Sequence, residues 1–199
     1  MDNVNDIKFS VSKFEKMVKE NKVIFFDSSE FENIISYYLD SGKLAYAKKA
    51  LKLSLSQHPF NTNLSLYEIE IFIQEEKFEH ALDLINSILM VETNNFEAIF
   101  LKSSILSKQK KHRKSIDLLK SIVNNYENKS ELFYQIAIEY LFTENFLKSI
   151  YYFKKSLNYD YVDHSALYNI FYCYEIIKDT KGLIIFLKEY LSKNPYSEI

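Results

Sequence analysis

Apolar and polar positions repeat along this chain with a period of about 34 residues. Small side chains occupy four of the five positions that mark it: Ala47, Ala81, Ser115, Ser149 and, as the exception, Leu183. Internal periods of this length are typical of proteins built from stacked two-helix units, in which each unit buries its apolar face against its neighbours. The period therefore predicts an array of similar helical units.

Three further columns share the period and fix its register. Every unit has apolar residues four and eight positions after the small one, and a large residue nine positions before it. The columns are Leu51, Ile85, Leu119, Phe153 and Leu187; Leu55, Leu89, Val123, Leu157 and Leu191; and Tyr38, Phe72, Leu106, Tyr140 and Tyr174. Positions i, i+4 and i+8 share one face of a helix, so each second helix is predicted to present an apolar stripe.

The period divides most of the chain into five units of two helices each. Their predicted boundaries are 28–61, 62–95, 96–129, 130–163 and 164–197. Within each unit a short polar turn joins two amphipathic runs, and short links join the units. Connections of this length make consecutive helices pack antiparallel.

Residues 1–27 lie outside the period. Apolar residues have helical spacing over about 7–20 and are followed by the apolar run 23–26, which predicts a cap helix and linker over the open end of the first unit. Asp27 and Glu30 have the spacing of a capping box, in which each side chain satisfies a backbone N–H group of the other residue.

Composition favours helices and supplies no catalytic chemistry. The 199 residues are 47% hydrophobic but include only 2 glycines and 2 prolines, fewer than the turns of a β-sandwich or α/β fold ordinarily need. The 4 histidines and the single cysteine, Cys173, have no metal-ligand spacing and no neighbouring base. We therefore expect no metal, no cofactor and no enzymatic activity.

Charge gives little reason to expect a nucleic-acid or membrane partner. The formal net charge is −2 and the isoelectric point is near 6.1. The most basic run, 108–114, is interpreted as one solvated turn, with a site for phosphate or an acidic segment as the alternative. An acidic N-terminus without signal-peptide features, a single cysteine and the lack of a long apolar run predict a cytoplasmic protein without a membrane span.

The period and its best-preserved copy resemble the tetratricopeptide repeat. In the second helix of the second unit, Phe78, Ala81, Ile85 and Leu89 stand where that family places its aromatic residue, its small helix-crossing residue and its apolar seam. The resemblance extends over residues 28–197. It implies an all-α fold, an α-α superhelix or solenoid of about five helix hairpins, with the N-terminal helical cap added before them.

The chain departs from the family pattern at several positions. The early tryptophan of the family is replaced by Phe31, Ser65, Ile99, Phe133 and Leu167. The terminal proline of the repeat is present only as Pro59 and Pro195. Some members grip C-terminal carboxylates with lysine and asparagine on the first helices. Here those positions include Glu32 and Glu70, so that particular function is not expected.

For binding, the resemblance implies a concave groove lined by the first helices. The residues predicted to face it are Tyr67, Glu70, Phe100, Tyr134, Gln135, Ile138, Tyr168, Asn169 and Tyr172. Tyrosines supply large rigid contact area and amides bond an extended backbone, which suits a peptide segment or partner protein. The alternative for the same aromatic residues is packing between helices. The predicted function is a non-catalytic interaction scaffold.

Two other functions stay open from the sequence. An RNA-binding helical-repeat protein would need a basic groove, and a helper subunit would assist an enzyme on another chain. At the other end of the period, the last helix is apolar nearly all round, whereas a terminal unit facing water is ordinarily polar on its outer side. This predicts self-association or further repeats through Leu183, Ile184, Phe186 and Leu187.

Overall fold

Eleven α-helices make up the described part of the chain, and no strand occurs in it. The computed structural model describes residues 2–160 and 163–193, with side chains from residue 7 onward. The helices are α1 (Asp2–Glu20), α2 (Ser28–Asp40), α3 (Leu44–Gln57), α4 (Thr62–Gln74), α5 (Phe78–Val91), α6 (Phe96–Lys108), α7 (His112–Ser121), α8 (Lys129–Phe142), α9 (Phe146–Leu157), α10 (His164–Ile176) and α11 (Thr180–Lys193). The all-α prediction is confirmed. The end of the fifth predicted unit, with Pro195, lies outside the described residues.

A left-handed residue closes the turn between the two helices of every hairpin. These residues are Gly42, Glu76, Lys110, Glu144 and Lys178, each one period after the last, with φ between 56° and 68°. The next amide donates back to the large first-helix column, as from Lys43 N to Tyr38 O at 2.8 Å and from Asn145 N to Tyr140 O at 2.9 Å. This is the Schellman ending of a helix, which favours glycine at the left-handed position.

Side-chain caps begin the first helices. The capping residues are Asp27, Asn61, Asn95, Asn128 and Asp163. The predicted capping box is present: the Asp27 carboxylate accepts from Glu30 N at 2.8 Å, and the Glu30 carboxylate accepts from Asp27 N at 3.0 Å. The bonds from Glu30 N and the Ser29 hydroxyl hold the pKa of Asp27 below its usual value.

The chain forms two compact units, Met1–Leu101 and Lys102–Ile199, each with its own core. In the first unit the cap helix packs on α2 through aromatic rings. The ring centre of Phe14 in α1 lies 6.1 Å from that of Tyr38 and 6.2 Å from that of Phe26. The ring centres of Phe26 and Phe31 are 5.2 Å apart. All four side chains are fully buried, so α1 covers the first hairpin.

The extended segment between α1 and α2 is held by side chains at the end of α3. Gln57 accepts from Phe26 N at 3.1 Å and donates to Ile24 O at 3.0 Å. The Nε2 of His58 lies 2.8 Å from Phe26 O. Backbone groups outside a helix or sheet need such partners when they approach a core. The sequence pattern gave no role to His58, and the structure shows that it anchors the linker of the cap.

In the second unit, α9 packs between α8 and α10. Ile150 and Phe153 of α9 share a core with Leu167 and Ile170 of α10. Phe153 is completely buried, which is the fate that the period predicts for its column. The same core also contains Ala137 of α8. The three helices α8, α9 and α10 therefore share one core, with α9 in the middle.

The outward role predicted for Phe186 is wrong. Phe186 is 6% exposed, and its ring stacks on Tyr174 of α10 at 6.4 Å. Leu183 also packs against the core of the second unit. Both residues therefore face the core that α10 and α11 share, whereas Ile184 is 47% exposed. The apolar character of α11 on all sides concealed which side meets α10.

Candidate binding surface of the first helices

Three first helices of the first unit line one surface pocket. Glu32 of α2, Asn63, Leu66, Tyr67 and Glu70 of α4, and Glu97 of α6 surround a volume of about 350 Å³. The spacing of the four α4 residues puts them on one face of that helix. Tyr67 and Glu70 were predicted to face a groove, and Glu32 was placed at a ligand-contacting position of the first helices, but Glu97 and the pocket itself were not predicted.

Among the carboxylates of this pocket, Glu70 has a charge that its surroundings disfavour. Burial raises the pKa of Glu70, and the charges of Glu97 and Asp40 raise it further. Loss of water and repulsion between like charges both disfavour the ionised form, and a nearby cation favours that form. The pocket is therefore suited to an ammonium or guanidinium group.

Tyr67 lies among the same charges. Burial raises the pKa of its hydroxyl, the carboxylates of Glu32 and Glu70 add to the rise, and a bond with Ser36 opposes it. Asn63 Nδ2 donates to Glu32 Oε1 at 3.2 Å, which fixes that carboxylate at the edge of the pocket. An aromatic ring beside carboxylates can pack on the aliphatic stem of a lysine or arginine while its charge meets the acids.

Acidic residues are concentrated on the first helices of the hairpins and basic residues on the second helices. The first helices, α2, α4, α6, α8 and α10, contain 9 Asp or Glu against 3 Lys, a net charge of −6. The second helices, α3, α5, α7, α9 and α11, contain 12 Lys or Arg against 4 Asp or Glu, a net charge of +8. The near-zero charge of the whole chain conceals an acidic set of first helices.

In the second unit the predicted tyrosines have two different environments. Tyr168 and Tyr172, one helical turn apart on α10, are 71% and 42% exposed. Tyr134 of α8 is half-buried: its ring meets Phe153 edge-on at 5.3 Å, and its hydroxyl accepts from Asn169 Nδ2 at 3.4 Å. Tyr134 and Asn169 thus join α8 to α10, while the other two tyrosines are open to solvent.

The remaining predicted positions contribute unequally. Gln135 is exposed on α8, and Phe100 is half-buried on α6. Ile138 is half-buried and packs against the core of the second unit. Of the nine predicted residues, Tyr67 and Glu70 share a pocket, and Tyr134 touches Asn169.

Lysines of the second unit contact aromatic residues in a repeating arrangement. Lys120 of α7 donates to the Tyr140 hydroxyl at 2.9 Å, and Lys154 of α9 donates to the Tyr174 hydroxyl at 2.9 Å. Both partners of the second pair stand one period after those of the first. The Lys154 ammonium also lies 4.7 Å from the ring centre of Phe186. These lysines connect each second helix to the first helix that follows it.

The basic run 108–114 spans the end of α6, a turn and the start of α7. Lys110 is the left-handed residue of that turn, and Lys111 donates to Gln109 Oε1 at 2.7 Å. His112 Nδ1 lies 2.8 Å from Glu139 Oε2, and this glutamate is only 5% exposed. Arg113 and Lys114 face solvent. His112 is thus a packing residue of the second unit.

Metal-ligating side chains do not cluster in the described part of the chain. No three His, Cys, Asp or Glu residues there are arranged to hold a metal ion. Cys173 is buried beside the Ser149 hydroxyl at 3.7 Å, and burial raises the pKa of its thiol. Within the same residues, no helix combines the length and the apolar character that crossing a membrane requires.

Comparison with solved structures identifies the fold. A structure of MamA from Desulfovibrio magneticus RS-1 that begins at its residue 41 matches with a TM-score of 0.61, covering 84% of this chain and 96% of that chain at 16% identity. PilF of Pseudomonas aeruginosa matches with a TM-score of 0.66, covering 82% and 73% at 17% identity. Both are tetratricopeptide-repeat proteins. The chain has the tetratricopeptide-repeat fold.

This tetratricopeptide-like fold is recognised from the three-dimensional structure and not from sequence similarity. No protein-family model and no curated protein sequence matches the chain. Replacement of the family's tryptophan by residues such as Phe31 and Leu167 removes the positions that define the repeat by sequence. The small column and the period survive because they determine how helices cross.

Proposed function

We propose that the chain is a non-catalytic interaction scaffold whose first helices bind a basic segment of a partner protein. Tetratricopeptide-like folds such as those of MamA and PilF support protein interaction in general. The observation that carries the proposal is the convergence of Glu32, Glu70 and Glu97 on one pocket beside Tyr67. A lysine or arginine side chain placed there offsets the burial and the like-charge repulsion that raise the pKa of Glu70.

The second unit presents a different kind of binding surface. Tyr168 and Tyr172 present exposed rings with polar tips, and Gln135 presents an exposed amide. Rigid aromatic side chains add contact area at a small entropic cost, and amides bond a peptide backbone. Apolar and main-chain contacts are proposed to hold an extended peptide segment at this surface.

A pair of charge-matched peptides tests this selection. We expect the full chain to bind an acetylated, amidated octapeptide of alternating alanine or leucine with lysine, and to reject the same peptide with glutamate in place of lysine. Glu70→Gln is expected to weaken binding of the lysine peptide about tenfold, the equivalent of about 1.4 kcal/mol. Fluorescence anisotropy at low salt measures both affinities.

The matched control lies two positions away on the same helix. Glu68 is half-buried on α4 but does not line the pocket, so Glu68→Gln is expected to leave peptide affinity unchanged within a factor of two. Acidification protonates Glu70 and is expected to weaken binding of the lysine peptide. Because the pKa of Glu70 is raised, this loss is expected to begin at a higher pH than the titration of an ordinary glutamate would give. Equal binding of the two peptides, or equal effects of the two substitutions, rejects the proposal.

Tyr168 offers a separate test of the second unit. Tyr168→Ala is expected to reduce the affinity of an extended uncharged peptide for this surface by about threefold to tenfold, with Tyr151→Ala as control, since Tyr151 is 53% exposed on the second helix α9. Both side chains are largely in solvent, so neither substitution removes core packing. Tyr134 is a poorer probe because its ring packs on Phe153.

The positive charge of the second unit is the one observation that favours RNA as a partner. Lys102–Ile199 contains 15 Lys or Arg against 11 Asp or Glu, a net charge of +4. However, α8 and α10 together carry 1 Lys against 3 Glu. The basic residues lie instead on second helices, where Lys120 and Lys154 are bonded to tyrosines. Salt-dependent binding of single-stranded RNA would support this alternative.

A further inference from the structure

The apolar face of α9 shows what covers a second helix in this fold. Ile150 and Leu157 are 5% and 6% exposed, and they share a core with Leu167 and Ile170 of α10. On α7, Ile116 stands one period before Ile150 and is also 5% exposed. In both cases the face is closed by the first helix of the next hairpin.

Among the residues that the structure describes, none covers the corresponding face of α11. Ile184 stands one period after Ile150 and is 47% exposed, and Leu191 stands one period after Leu157 and is 41% exposed. Leu187 lies between them on the same helix face and is half-buried. Several exposed aliphatic side chains form one stripe on this face. Covering such a stripe removes apolar area from water and lowers the free energy.

A lysine accompanies this face in each of the two preceding hairpins. Lys120 of α7 and Lys154 of α9 each donate to the tyrosine hydroxyl of the covering helix, at 2.9 Å in both pairs. Lys188 of α11 stands one period after Lys154 and is exposed. The open face therefore repeats both the apolar stripe and the hydrogen-bond donor of the covered ones.

We propose that the α11 face, formed by Ile184, Leu187, Lys188 and Leu191, binds an amphipathic helix presented by another polypeptide. The chemistry of that helix follows from α8 and α10, which cover the equivalent faces. Both have two large apolar residues three positions apart, followed four positions later by a tyrosine: Phe133, Ile136 and Tyr140 in α8, and Leu167, Ile170 and Tyr174 in α10. This surface is separate from the proposed peptide groove of the first helices.

Charge favours a foreign helix over a second copy of the same face. α11 carries 3 Lys against 1 Glu, so two α11 faces packed symmetrically would bring like charges together. The helices that cover α7 and α9 are acidic: α8 has 2 Glu against 1 Lys, and α10 has 1 Glu and no basic residue besides His164. An acidic amphipathic helix with the stated tyrosine complements both the shape and the charge of α11.

A peptide with the sequence of residues 128–143, which contains α8, is the probe for this face. With its termini acetylated and amidated and a fluorophore attached, it is expected to bind the full chain with a Kd on the order of 10–100 μM. Ile184→Glu is expected to weaken binding at least tenfold. The matched control is Ile185→Glu, since Ile185 is 59% exposed but its counterpart on α9, Tyr151, is also exposed. It is expected to change the Kd less than twofold.

The tyrosine contact is tested by a double-mutant cycle. Tyr140→Phe in the peptide and Lys188→Met in the chain are each expected to weaken binding about twofold to fivefold, and the two together no more than one alone. Full additivity rejects the predicted hydrogen bond. Lack of binding at millimolar peptide, or equal losses with Ile184→Glu and Ile185→Glu, overturns the proposal. Sedimentation equilibrium that shows a dimer abolished by Ile184→Glu assigns the face to a second copy and also overturns it.

Discussion

Ala47 in the first unit and Ser149 in the second occupy the same position of the period, and both are fully buried. Ala47 belongs to the apolar core of its unit. Ser149 donates to Ala137 O at 2.9 Å, and Ser115, one period earlier, lies 2.6 Å from the Ser103 hydroxyl. The position demands a small volume where helices cross and tolerates a hydroxyl when an acceptor is within reach.

A larger contrast separates two other columns of the period. Leu44 is partly buried against the apolar core of the first unit, and Ile71 belongs to that core. Their counterparts two periods later are His112 and Glu139, which form a hydrogen bond of 2.8 Å with the glutamate almost fully buried. The second unit therefore places a polar pair where the first unit uses hydrocarbon. A buried pair of this kind adds little net stability while intact and is costly when half of it is removed.

Breaking this pair is predicted to have the largest effect on stability. Glu139→Ala removes the partner of the half-buried His112 ring and leaves a cavity, and we expect a loss of about 2–3 kcal/mol in the free energy of unfolding. Urea denaturation followed by circular dichroism measures the change. Glu139→Gln, which keeps the volume and one possible hydrogen bond, is expected to lose less than half as much.

Converting the polar pair to the residues of the first unit tests whether hydrocarbon can replace it in the second unit. The double variant His112→Leu with Glu139→Ile restores hydrocarbon at both positions, and we expect its stability to lie within about 1 kcal/mol of the wild-type value. If the double variant is as unstable as Glu139→Ala, the polar pair performs a packing role that leucine and isoleucine cannot replace. The two units would then differ in more than the choice of side chains.

The hairpin turns provide the second comparison. Gly42 in the first unit has φ +68°, and a Cβ added to it meets no atom within 4 Å, so Gly42→Ala tests backbone strain alone. We expect this substitution to destabilise the chain by about 1 kcal/mol. In the second unit Glu144 has φ 56° at the same position, and Glu144→Gly is expected to stabilise by about 0.5–1 kcal/mol. Thermal unfolding of both variants measures the two changes.

Opposite signs at these turns would show that the five hairpins share one backbone requirement. Glu144 is exposed, and its side chain contributes little besides its conformation. A destabilising Glu144→Gly would contradict this account and indicate that the glutamate side chain has a partner of its own. Lys110→Gly, at the preceding turn with φ 59°, is a second case that should agree in sign.

The sequence predicted the helices, their register and the capping box because each depends on neighbouring residues. It did not predict the acidic pocket. Glu32 and Glu97 are distant in the chain and meet through the packing of three first helices, which the period orders but does not describe side chain by side chain. The roles of Gln57 and His58 were missed for a related reason: they bond a linker that lies outside the period and so repeat nowhere.

The left-handed column was visible in the sequence at only one of its five positions. Gly42 is a recognisable turn residue, whereas Glu76, Lys110, Glu144 and Lys178 have no intrinsic preference for positive φ. Stepping from Gly42 by whole periods would have located all of them. The orientation of Phe186 could not be obtained in this way, because α11 is apolar on the side that faces α10 and on the side that faces solvent.

The smallest predicted change in stability is that of a substitution at Ser149. Ser149→Ala removes the bond to Ala137 O and the acceptor of the weak Cys173 S–H donor. The Ala137 carbonyl lies within α8 and keeps its intrahelical partner, so no strong hydrogen-bonding group is left unpaired. We expect a change within about 0.5 kcal/mol by urea denaturation. The reverse substitution, Ala47→Ser, is expected to be equally mild if the first helix offers a carbonyl at the same place. A loss above about 1.5 kcal/mol in Ser149→Ala, the upper end for one neutral hydrogen bond, would mean that the second unit depends on its hydroxyl. Small volume alone would then no longer explain this column.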